Sequence, residues 1–444
     1  MMGEESKTAL EDAVEPATGG VDAGRAAAAG GEKIDYRARR AEQALAEKRL
    51  RRFVGLLLLA AVLVVGVTLF SYSVMQSRAT GLSPADSYQA AADAQQGAHA
   101  LVDSAGRSVQ VPDEPQHIAV MDSFSSEFAV MIGAGERLCG VPGGTKSDAL
   151  LQEMCPSLSK ASQLSGNMVN IDELASQGCD LAIVKTSMAQ TELAKLDRMG
   201  IPYVVVDYAT VDEQLEAMEL VGQACGGSAE QKAQSLVSYY RSVRDDVQRR
   251  VAGVADSERA SVYHSINDAL LTDGEGSLGA SWIAEAGCVD VSAGMEATSG
   301  SDYNATLEQV YTWNPDLVIC NSADAASSVK AEAQWAGLQA VRDGKVQIIP
   351  TGATRWGHRG SAETCMAELW LGMVAYPDLF TDVDLKQTVI AYYRDYLGLS
   401  IDDDTYAKIL AGEGIRTSGG GTGQGSGGGD GSGGGNGNGG GRNA

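Results

Sequence analysis

One pattern of polar and apolar positions occurs twice along the chain, at an offset of 136 residues. Residues 170–184 read NIDELASQGCDLAIV and residues 306–320 read TLEQVYTWNPDLVIC, and the two segments align without a gap. Each begins with a short acidic segment and ends in consecutive apolar residues, a pattern that predicts a strand buried in a parallel sheet. The repeat indicates two similar lobes, although helix-then-strand units also recur by chance in α/β proteins.

The segments around the first copy predict strands that alternate with helices. Such alternation implies a parallel sheet. Gly200 marks the end of one of these helices, because glycine readily adopts the left-handed conformation that closes a helix. The elements predicted for the first lobe are a hairpin in 101–112, a strand at 117–121, a helix at 127–135, a strand at 137–141, a helix at 191–199 and a strand at 203–206.

A long uninterrupted helix is predicted between the two copies. Ser228 and Gln231 match a capping box, and no glycine or proline follows before Gly253. At about 24 residues such a helix spans roughly 36 Å, which is the width of a domain. We interpret residues 228–253 as a stiff connector between the lobes, so large hinge bending is not expected.

The pattern that follows this helix repeats that of the first lobe. We therefore predict an α/β fold of two lobes, each with a central, mainly parallel sheet flanked by helices. The elements predicted here are a strand at 260–264, a helix within 276–288, the second copy, a helix and strand within 335–350, and closing helices at 363–375 and 385–397.

An apolar segment near the amino terminus predicts a transmembrane helix. Residues 53–70 contain no charge and no proline, and together with residues 71–75 they exceed the ~30 Å of a bilayer's hydrocarbon core. The preceding residues, 37–52, carry seven basic and two acidic side chains, so the positive-inside rule places the amino terminus in the cytoplasm. We expect a single-pass protein of the cell membrane with an extracytoplasmic main part; a cleaved signal is the alternative.

The remaining segments are too polar to bury a core of their own. Residues 76–100 resemble a spacer, and the glycine-rich end of the chain is typical of a disordered tail. The predicted organisation is a cytoplasmic tail (1–52), a transmembrane signal anchor (53–75), the spacer (76–100), an N-terminal lobe (101–227), the linker helix (228–253), a C-terminal lobe with closing helices (254–412) and the tail (413–444).

The net charge of −24 narrows the range of partners. Ten basic and ten acidic side chains balance within residues 1–52, so the excess negative charge lies in the main part of the chain. A strongly acidic main part argues against nucleic acid as a partner.

Seven cysteines lie in the part expected outside the cell, where disulfides are permitted. The odd number leaves at least one of them unpaired. Cys139–Cys155 and Cys179–Cys225 are possible pairs within one lobe, and buried free thiols are the alternative.

Several segments, in their order and spacing, resemble the helical-linker class of substrate-binding proteins of ABC importers. The resemblance covers about residues 101–400 and implies a bilobal fold that binds ferric siderophores, cobalamin or haem. It further implies an ABC permease dimer with its ATPase subunits as partner, and we expect a monomer. The matching segments are DSAGRSVQVPDEPQHIAV (103–120), GAGERLCGV (133–141), the two copies of the repeat, WAGLQAVRDGKVQIIP (335–350) and WLGMVAYPDLF (370–380).

The resemblance assigns a role to one acidic residue in each copy of the repeat. In this family such residues contact arginines of the permease, and the matching positions are Asp172 and Glu308. Paired carboxylates on two lobes suit a two-fold partner, because Arg–carboxylate pairs fix orientation. Asp172 stands where the family usually has Glu, so the adjacent Glu173 is an alternative. An acid favoured by the dipole at a helix amino terminus is the plain structural explanation.

A ligand pocket is expected at the carboxyl ends of the strands. The loop at 351–360 carries two arginines, a tryptophan and a histidine within five residues of an acidic domain. Tryptophan offers a flat apolar face, while arginine and histidine donate to carboxylate or catecholate oxygens. The candidate ligand-binding residues are Arg355, Trp356, His358 and Arg359, together with Phe124, Lys185, Tyr208, Tyr263 and His264 at other strand ends.

The expected ligand is a metal chelate, namely a ferric siderophore, a corrinoid or haem. His264 or a tyrosine could be an axial ligand to haem iron, although a histidine at a strand end is more often a hydrogen-bonded structural residue. Four histidines without ligand spacing argue against a site for a bare metal ion, and no intrinsic cofactor is expected.

We therefore predict a membrane-tethered binding protein, not an enzyme, that delivers its ligand to an ABC importer. The sequence contains no G-x-S-x-G elbow, no H-E-x-x-H and no glycine-rich phosphate loop. A ligand-sensing surface receptor is one alternative, and a tethered extracytoplasmic enzyme is another. Which chelate is bound does not follow from the sequence.

Overall fold

The structure, a computed structural model, describes residues 97–164 and 170–415. These residues belong to one compact unit. Its strands are β1 (Ala98–Val102), β2 (Ser108–Pro112), β3 (Ile118–Val120), β4 (Leu138–Pro142), β5 (Ser162–Leu164), β6 (Leu181–Val184), β7 (Tyr203–Val205), β8 (Ser261–Ser265), β9 (Leu271–Asp273), β10 (Val289–Asp290), β11 (Asp302–Asn304), β12 (Leu317–Cys320) and β13 (Val346–Ile348).

Helices cover the sheets in both halves of this unit. They are α1 (Ser123–Met131), α2 (Gly143–Ser147), α3 (Ala149–Met154), α4 (Ile171–Ser176), α5 (Gln190–Met199), α6 (Val211–Cys225), α7 (Gly227–Val251), α8 (Leu278–Glu285), α9 (Leu307–Trp313), α10 (Ala323–Ala331), α11 (Gln339–Arg342), α12 (Thr364–Ala375), α13 (Leu385–Tyr392) and α14 (Asp403–Leu410).

Each lobe contains a parallel sheet, as the sequence predicted. In the N-terminal lobe the strand order is β5-β4-β3-β6-β7, and every pair of neighbours is parallel. In the C-terminal lobe the order is β10-β8-β12-β13, again parallel throughout. The predicted hairpin is the antiparallel pair β1-β2, and β9 and β11 form a second antiparallel pair.

The sequence repeat corresponds to the same unit in both lobes. Helix α4 precedes β6 in the first lobe, and α9 precedes β12 in the second. All four residues of each strand are buried, as consecutive apolar residues predicted. The side chains of Asn170 and Thr306 cap the two helices by accepting a hydrogen bond from the backbone three residues later, at 3.2 and 3.3 Å. The repeat is therefore structural as well as sequential.

The long helix between the lobes is α7, which packs against α6 and α12. Its buried face includes Leu236, Val237 and Tyr240. The predicted capping box at Ser228 does not form, because the helix begins one residue earlier and its first residue follows Gly226. Gly226 has a φ of 64°, and a Cβ there would collide with the carbonyl oxygen of Asp113. A tight backbone approach thus sets the start of the helix.

Two segments that follow strands of the N-terminal sheet are helical. Residues 123–126 form the first turn of α1, because the carboxylate of Asp122 caps that helix by accepting from the backbone of Ser125 at 2.8 Å. Residues 143–147 form the short helix α2. Helix α1 therefore begins four residues before the predicted start at 127. Its first turn consequently lies closer to the end of β3 than the sequence predicts.

All seven cysteines, each within the described residues, are free thiols. The two disulfide pairs considered from the sequence are therefore not formed in the structure. Six of the seven thiols are buried and Cys139 is half-buried, which is the environment of small apolar side chains.

No helix within residues 97–164 and 170–415 is long and apolar enough to cross a membrane. The predicted transmembrane helix at 53–75 lies outside the described residues, as do the cytoplasmic tail, most of the spacer and the chain beyond residue 415.

Candidate functional site

Loops from both lobes meet at the carboxyl ends of the strands, where ligands bind in open α/β sheets. The C-terminal lobe contributes residues 351–360, which follow β13 and are called here the cleft loop. Gly360 of this loop lies against Ser123 at the start of α1, since a Cβ on Gly360 would be 3.8 Å from the Ser123 Cβ. The hydroxyl of Tyr208, after β7, donates to the carbonyl oxygen of Arg359. The cleft loop thus spans the two lobes.

Two buried carboxylates hold the base of the cleft loop. Glu127 of α1 accepts from the Thr354 hydroxyl and from the Ala362 backbone at 3.4 Å. Glu363 accepts from the backbone of Thr354 at 2.8 Å. Burial, with the nearby charge of Glu363, raises the pKa of Glu127 to about 8; burial also raises the pKa of Glu363 to about 7. The pair therefore retains a proton near neutral pH and binds the loop from both lobes.

Trp356 belongs to the cleft loop, but its side chain is fully buried. Its indole nitrogen donates to the hydroxyl of Tyr393 at 3.1 Å. The next residue, Gly357, has a φ of 72°, and a Cβ there would be 2.6 Å from the indole nitrogen of Trp282. The structure therefore places the ring of Trp356 in the core, whereas the sequence predicted an aromatic face toward the ligand.

Four basic side chains converge on the cleft: Lys185, Arg355, His358 and Arg359. His358 is exposed at the cleft, and desolvation by the surrounding protein, together with the positive charges of Arg355, Arg359 and Lys185, lowers its pKa to about 3. The ring is therefore neutral. Because its Nδ1 accepts from the backbone of Gly360 at 3.0 Å, its proton lies on Nε2, which can donate to a ligand.

Arg355 differs from Arg359 in its partners. Arg359 is exposed and donates to the hydroxyl of Ser301 at 2.9 Å. Arg355 is half-buried, and its guanidinium has no side-chain hydrogen bond or ion pair with any described residue. Desolvation lowers the pKa of Arg355 to about 10, so it remains charged at neutral pH. A cation without a partner beside a cleft favours an anionic ligand.

The predicted aromatic residues of the N-terminal lobe lie together. The rings of Phe124 and Tyr208 are tilted against each other with centroids 4.6 Å apart. Phe124 is buried, whereas Tyr208 is half-buried and contacts the cleft loop through its hydroxyl. Tyr208 therefore forms part of the cleft wall, and the buried ring of Phe124 packs against it on the interior side.

His264 and Tyr263 are buried on β8 in the C-terminal lobe. His264 bonds to Asp273 at 2.6 Å and to the side-chain oxygen of Asn321 at 2.8 Å. Burial opposes the charge of His264, but Asp273 and these hydrogen bonds raise its pKa. The hydroxyl of Tyr263 donates to the carbonyl of Ala269 at 3.0 Å. Both polar groups have protein partners, the situation of structural residues.

The two predicted docking residues lie in the first turns of equivalent helices. Asp172 is exposed on α4 and Glu308 is exposed on α9. The alternative residue, Glu173, accepts from the hydroxyl of Ser162 at 2.6 Å. Among the described residues Asp172 has no comparable side-chain partner, and this geometry favours Asp172 over Glu173 as the available carboxylate.

Asp122 and the pair Glu127–Glu363 are the groups at this site that the sequence prediction missed. Asp122 lies two residues after the end of β3, so its place at a strand end is a usable signal. Glu127 and Glu363 meet across more than two hundred residues, and no local pattern indicates such a pair. Within the described parts of the chain, no group of three or more His, Cys, Asp or Glu is arranged to hold a metal ion.

Comparison with known proteins finds relatives that this chain matches over most of their own length. The chain is 26% identical over 334 residues to the molybdate-binding protein MolA of Haemophilus influenzae, covering 69% of this chain and 93% of that protein. It is 24% identical over 290 residues to an uncharacterized ABC transporter substrate-binding lipoprotein, YvrC, of Bacillus subtilis, covering 63% and 86%.

Solved structures show the same fold. A periplasmic solute-binding protein from Veillonella parvula superposes with a TM-score of 0.60 at 23% identity, covering 70% of this chain and 97% of that one. The molybdate-bound MolA structure has a TM-score of 0.60 at 24% identity, covering 68% and 99%. The model of the periplasmic binding protein family matches residues 118–352, more than half of the chain. The chain therefore belongs to the periplasmic binding protein family, a family of binding proteins rather than enzymes, as its resemblance to the helical-linker class predicted.

Proposed function

We propose that this protein is the solute-binding component of an ABC importer and captures an anionic solute in the cleft between its lobes. The observation that carries the proposal is the convergence of Lys185, Arg355, His358 and Arg359 at the strand ends. The Bacillus subtilis relative is named as an ABC transporter substrate-binding lipoprotein, which supports an importer as partner. Residues 53–75 would hold the protein at the outer face of the membrane.

Two classes of anion suit this cleft. A metal oxyanion is the first, because the Haemophilus influenzae relative is named as molybdate-binding and compact oxyanions need several convergent donors. An anionic metal chelate, such as a ferric siderophore or haem, is the second, as the family resemblance implies; a corrinoid, the third chelate that the resemblance implies, is neutral. The burial of Trp356 removes the flat apolar wall expected for a large chelate, so the oxyanion is the stronger candidate.

Direct titration tests this function. The full-length chain, purified in mild detergent, is titrated calorimetrically with molybdate, a ferric catecholate siderophore, cyanocobalamin and haemin. We expect saturable binding of one of the anionic solutes, weakened by salt because the site is cationic. Absence of saturable binding for the three anionic solutes, or binding of the neutral cyanocobalamin alone, would contradict the proposal.

The docking role of Glu308 gives a prediction that separates transport from binding. Glu308→Lys should reduce uptake of the bound solute by cells at least about tenfold, because an Arg–carboxylate contact becomes a repulsion. The dissociation constant should not change, since the residue lies outside the cleft. Uptake of labelled solute and calorimetry on the purified variant measure the two effects.

The matched control for this substitution is Glu258→Lys. Glu258 is also exposed and precedes β8, at the amino end of the same sheet. This control should transport like the unmodified protein. A changed dissociation constant in Glu308→Lys, or unimpaired uptake, would exclude the docking role.

A further inference from the structure

One carboxylate oxygen at the centre of the N-terminal strand ends has no partner. Asp122 follows β3, the middle strand of its sheet, and is only 5% exposed. Its Oδ1 accepts from the backbone of Ser125 at 2.8 Å and caps α1. Its Oδ2 is buried without a hydrogen bond to any described residue. A buried polar atom without a hydrogen bond destabilises the fold unless a ligand or another group supplies the missing hydrogen bond.

The surroundings of Asp122 place its carboxyl group beside the cleft, next to Ser123, which lies against Gly360. Lys185, after β6, lies close enough to act electrostatically on both Asp122 and His358. Asp207 and Tyr208, after β7, are the next neighbours; the charge of Asp122 contributes to the raised pKa of Tyr208 after burial. The other charged or titratable groups packed around this region are Glu127 on α1 and Arg359 with His358 on the cleft loop.

An ionised carboxylate at this position conflicts with the capture of an anion. Two negative oxygens facing each other in a buried site repel strongly, whereas one proton between them converts the repulsion into a short hydrogen bond. Burial raises the pKa of Asp122, although the hydrogen bond from Ser125 opposes the shift. A proton is therefore retained here more readily than on an exposed aspartate.

We propose that anion capture takes up one proton, which is held between Oδ2 of Asp122 and an oxygen of the bound anion. The inference rests on the proposed anion binding and adds that the site selects the protonated form of the anion. An anion that brings its own proton, or that is offered at lower pH, binds more tightly. Where Asp122 is ionised in the free protein, affinity falls by up to about tenfold for each unit of rising pH.

The test compares the full-length chain with Asp122→Asn. Asparagine retains the oxygen that caps α1, and its amide supplies a donor without a titrating proton. Molybdate, which carries no proton between pH 5.5 and 7.5, is titrated calorimetrically in two buffers with different ionisation heats. Over the pH range in which Asp122 is ionised in the free protein, we expect the unmodified protein to take up a proton on binding and to bind more weakly as the pH rises. In Asp122→Asn, proton uptake should be lost and the affinity should be nearly independent of pH.

Two controls locate the proton. Asp402→Asn replaces the exposed aspartate that caps α14 through Thr405 and should keep the proton uptake of the unmodified protein. Asp207→Asn removes the other carboxylate that acts electrostatically on Asp122 and should also keep it. Proton uptake that persists in Asp122→Asn and disappears in Asp207→Asn overturns the inference.

The remaining outcomes separate this inference from the proposed function. Binding of molybdate, or of a ferric catecholate as second probe, without proton uptake at any pH overturns the inference and leaves anion binding established. Absence of binding for both probes, with haemin and cyanocobalamin also unbound, overturns the proposed function and this inference with it.

Discussion

Replacing Arg355 with alanine is expected to weaken binding of the anionic solute by about 100-fold, because charge-assisted hydrogen bonds contribute roughly 1.5–3 kcal/mol each. The guanidinium is half-buried, and it has no partner among the described residues to compete with a ligand. Its pKa, lowered to about 10 by desolvation, still leaves it charged at pH 7. Calorimetric titration of Arg355→Ala with molybdate and a ferric catecholate measures the loss.

Other arginines provide graded controls for this prediction. Arg359 is exposed and already donates to Ser301, so Arg359→Ala should weaken binding by less than Arg355→Ala. Arg198, exposed near the end of α5, lies outside the cleft, and its replacement should have no effect. The melting temperature of Arg355→Ala should not fall, since the substitution removes a partly desolvated charge. Unchanged affinity for a solute that the unmodified protein binds would exclude Arg355 from the site.

Local patterns were sufficient to predict the architecture. The consecutive apolar residues of 181–184 and 317–320 are buried strands, and the uninterrupted polar–apolar pattern after Ser228 is the long helix. Both features depend on the spacing of apolar residues within a single segment, and this spacing can be read directly from the sequence. The parallel order of the strands follows from the alternation of helix and strand.

Helix ends were predicted less well, because they depend on a few atoms. Helix α1 begins at Ser123 since one carboxylate, that of Asp122, meets one backbone N–H group. Helix α7 begins at Gly227 since the backbone of Gly226 passes close to Asp113. The first signal is visible in the sequence as an aspartate before a serine-rich segment, but the second depends on a contact between distant residues.

The direction of side chains in the cleft loop could not be predicted. Residues 351–360 have no helical or strand period, so nothing in the sequence indicates which side chains face the solvent. Arg355, His358 and Arg359 reach the cleft, while Trp356 between them points into the core toward Tyr393. The anchoring pair Glu127–Glu363 also forms only when the chain is folded, so the loop's position is a tertiary property.

Trp356→Ala provides the sharpest distinction between the sequence prediction and the structure. Because the indole is fully buried, its removal should lower the free energy of unfolding by about 3–5 kcal/mol. The hydrogen bond to Tyr393 is lost as well, and the cleft loop loses its central support. Solute affinity should therefore also fall, as a consequence of a displaced Arg355. Urea unfolding and calorimetric titration, performed on the same preparation, measure both quantities.

Trp335→Ala separates loss of stability from loss of loop support. Trp335 is equally buried, but it belongs to the core around Tyr263 and Val318 in the C-terminal lobe. The substitution Trp335→Ala should lower the free energy of unfolding by a similar amount. The folded fraction of this variant should retain its solute affinity. If instead Trp356→Ala leaves stability unchanged and abolishes binding, the ring contacts the solute directly, as the sequence of residues 351–360 predicts. A large loss of stability in both variants, with affinity lost only in Trp356→Ala, establishes that Trp356 acts by holding the cleft loop in place.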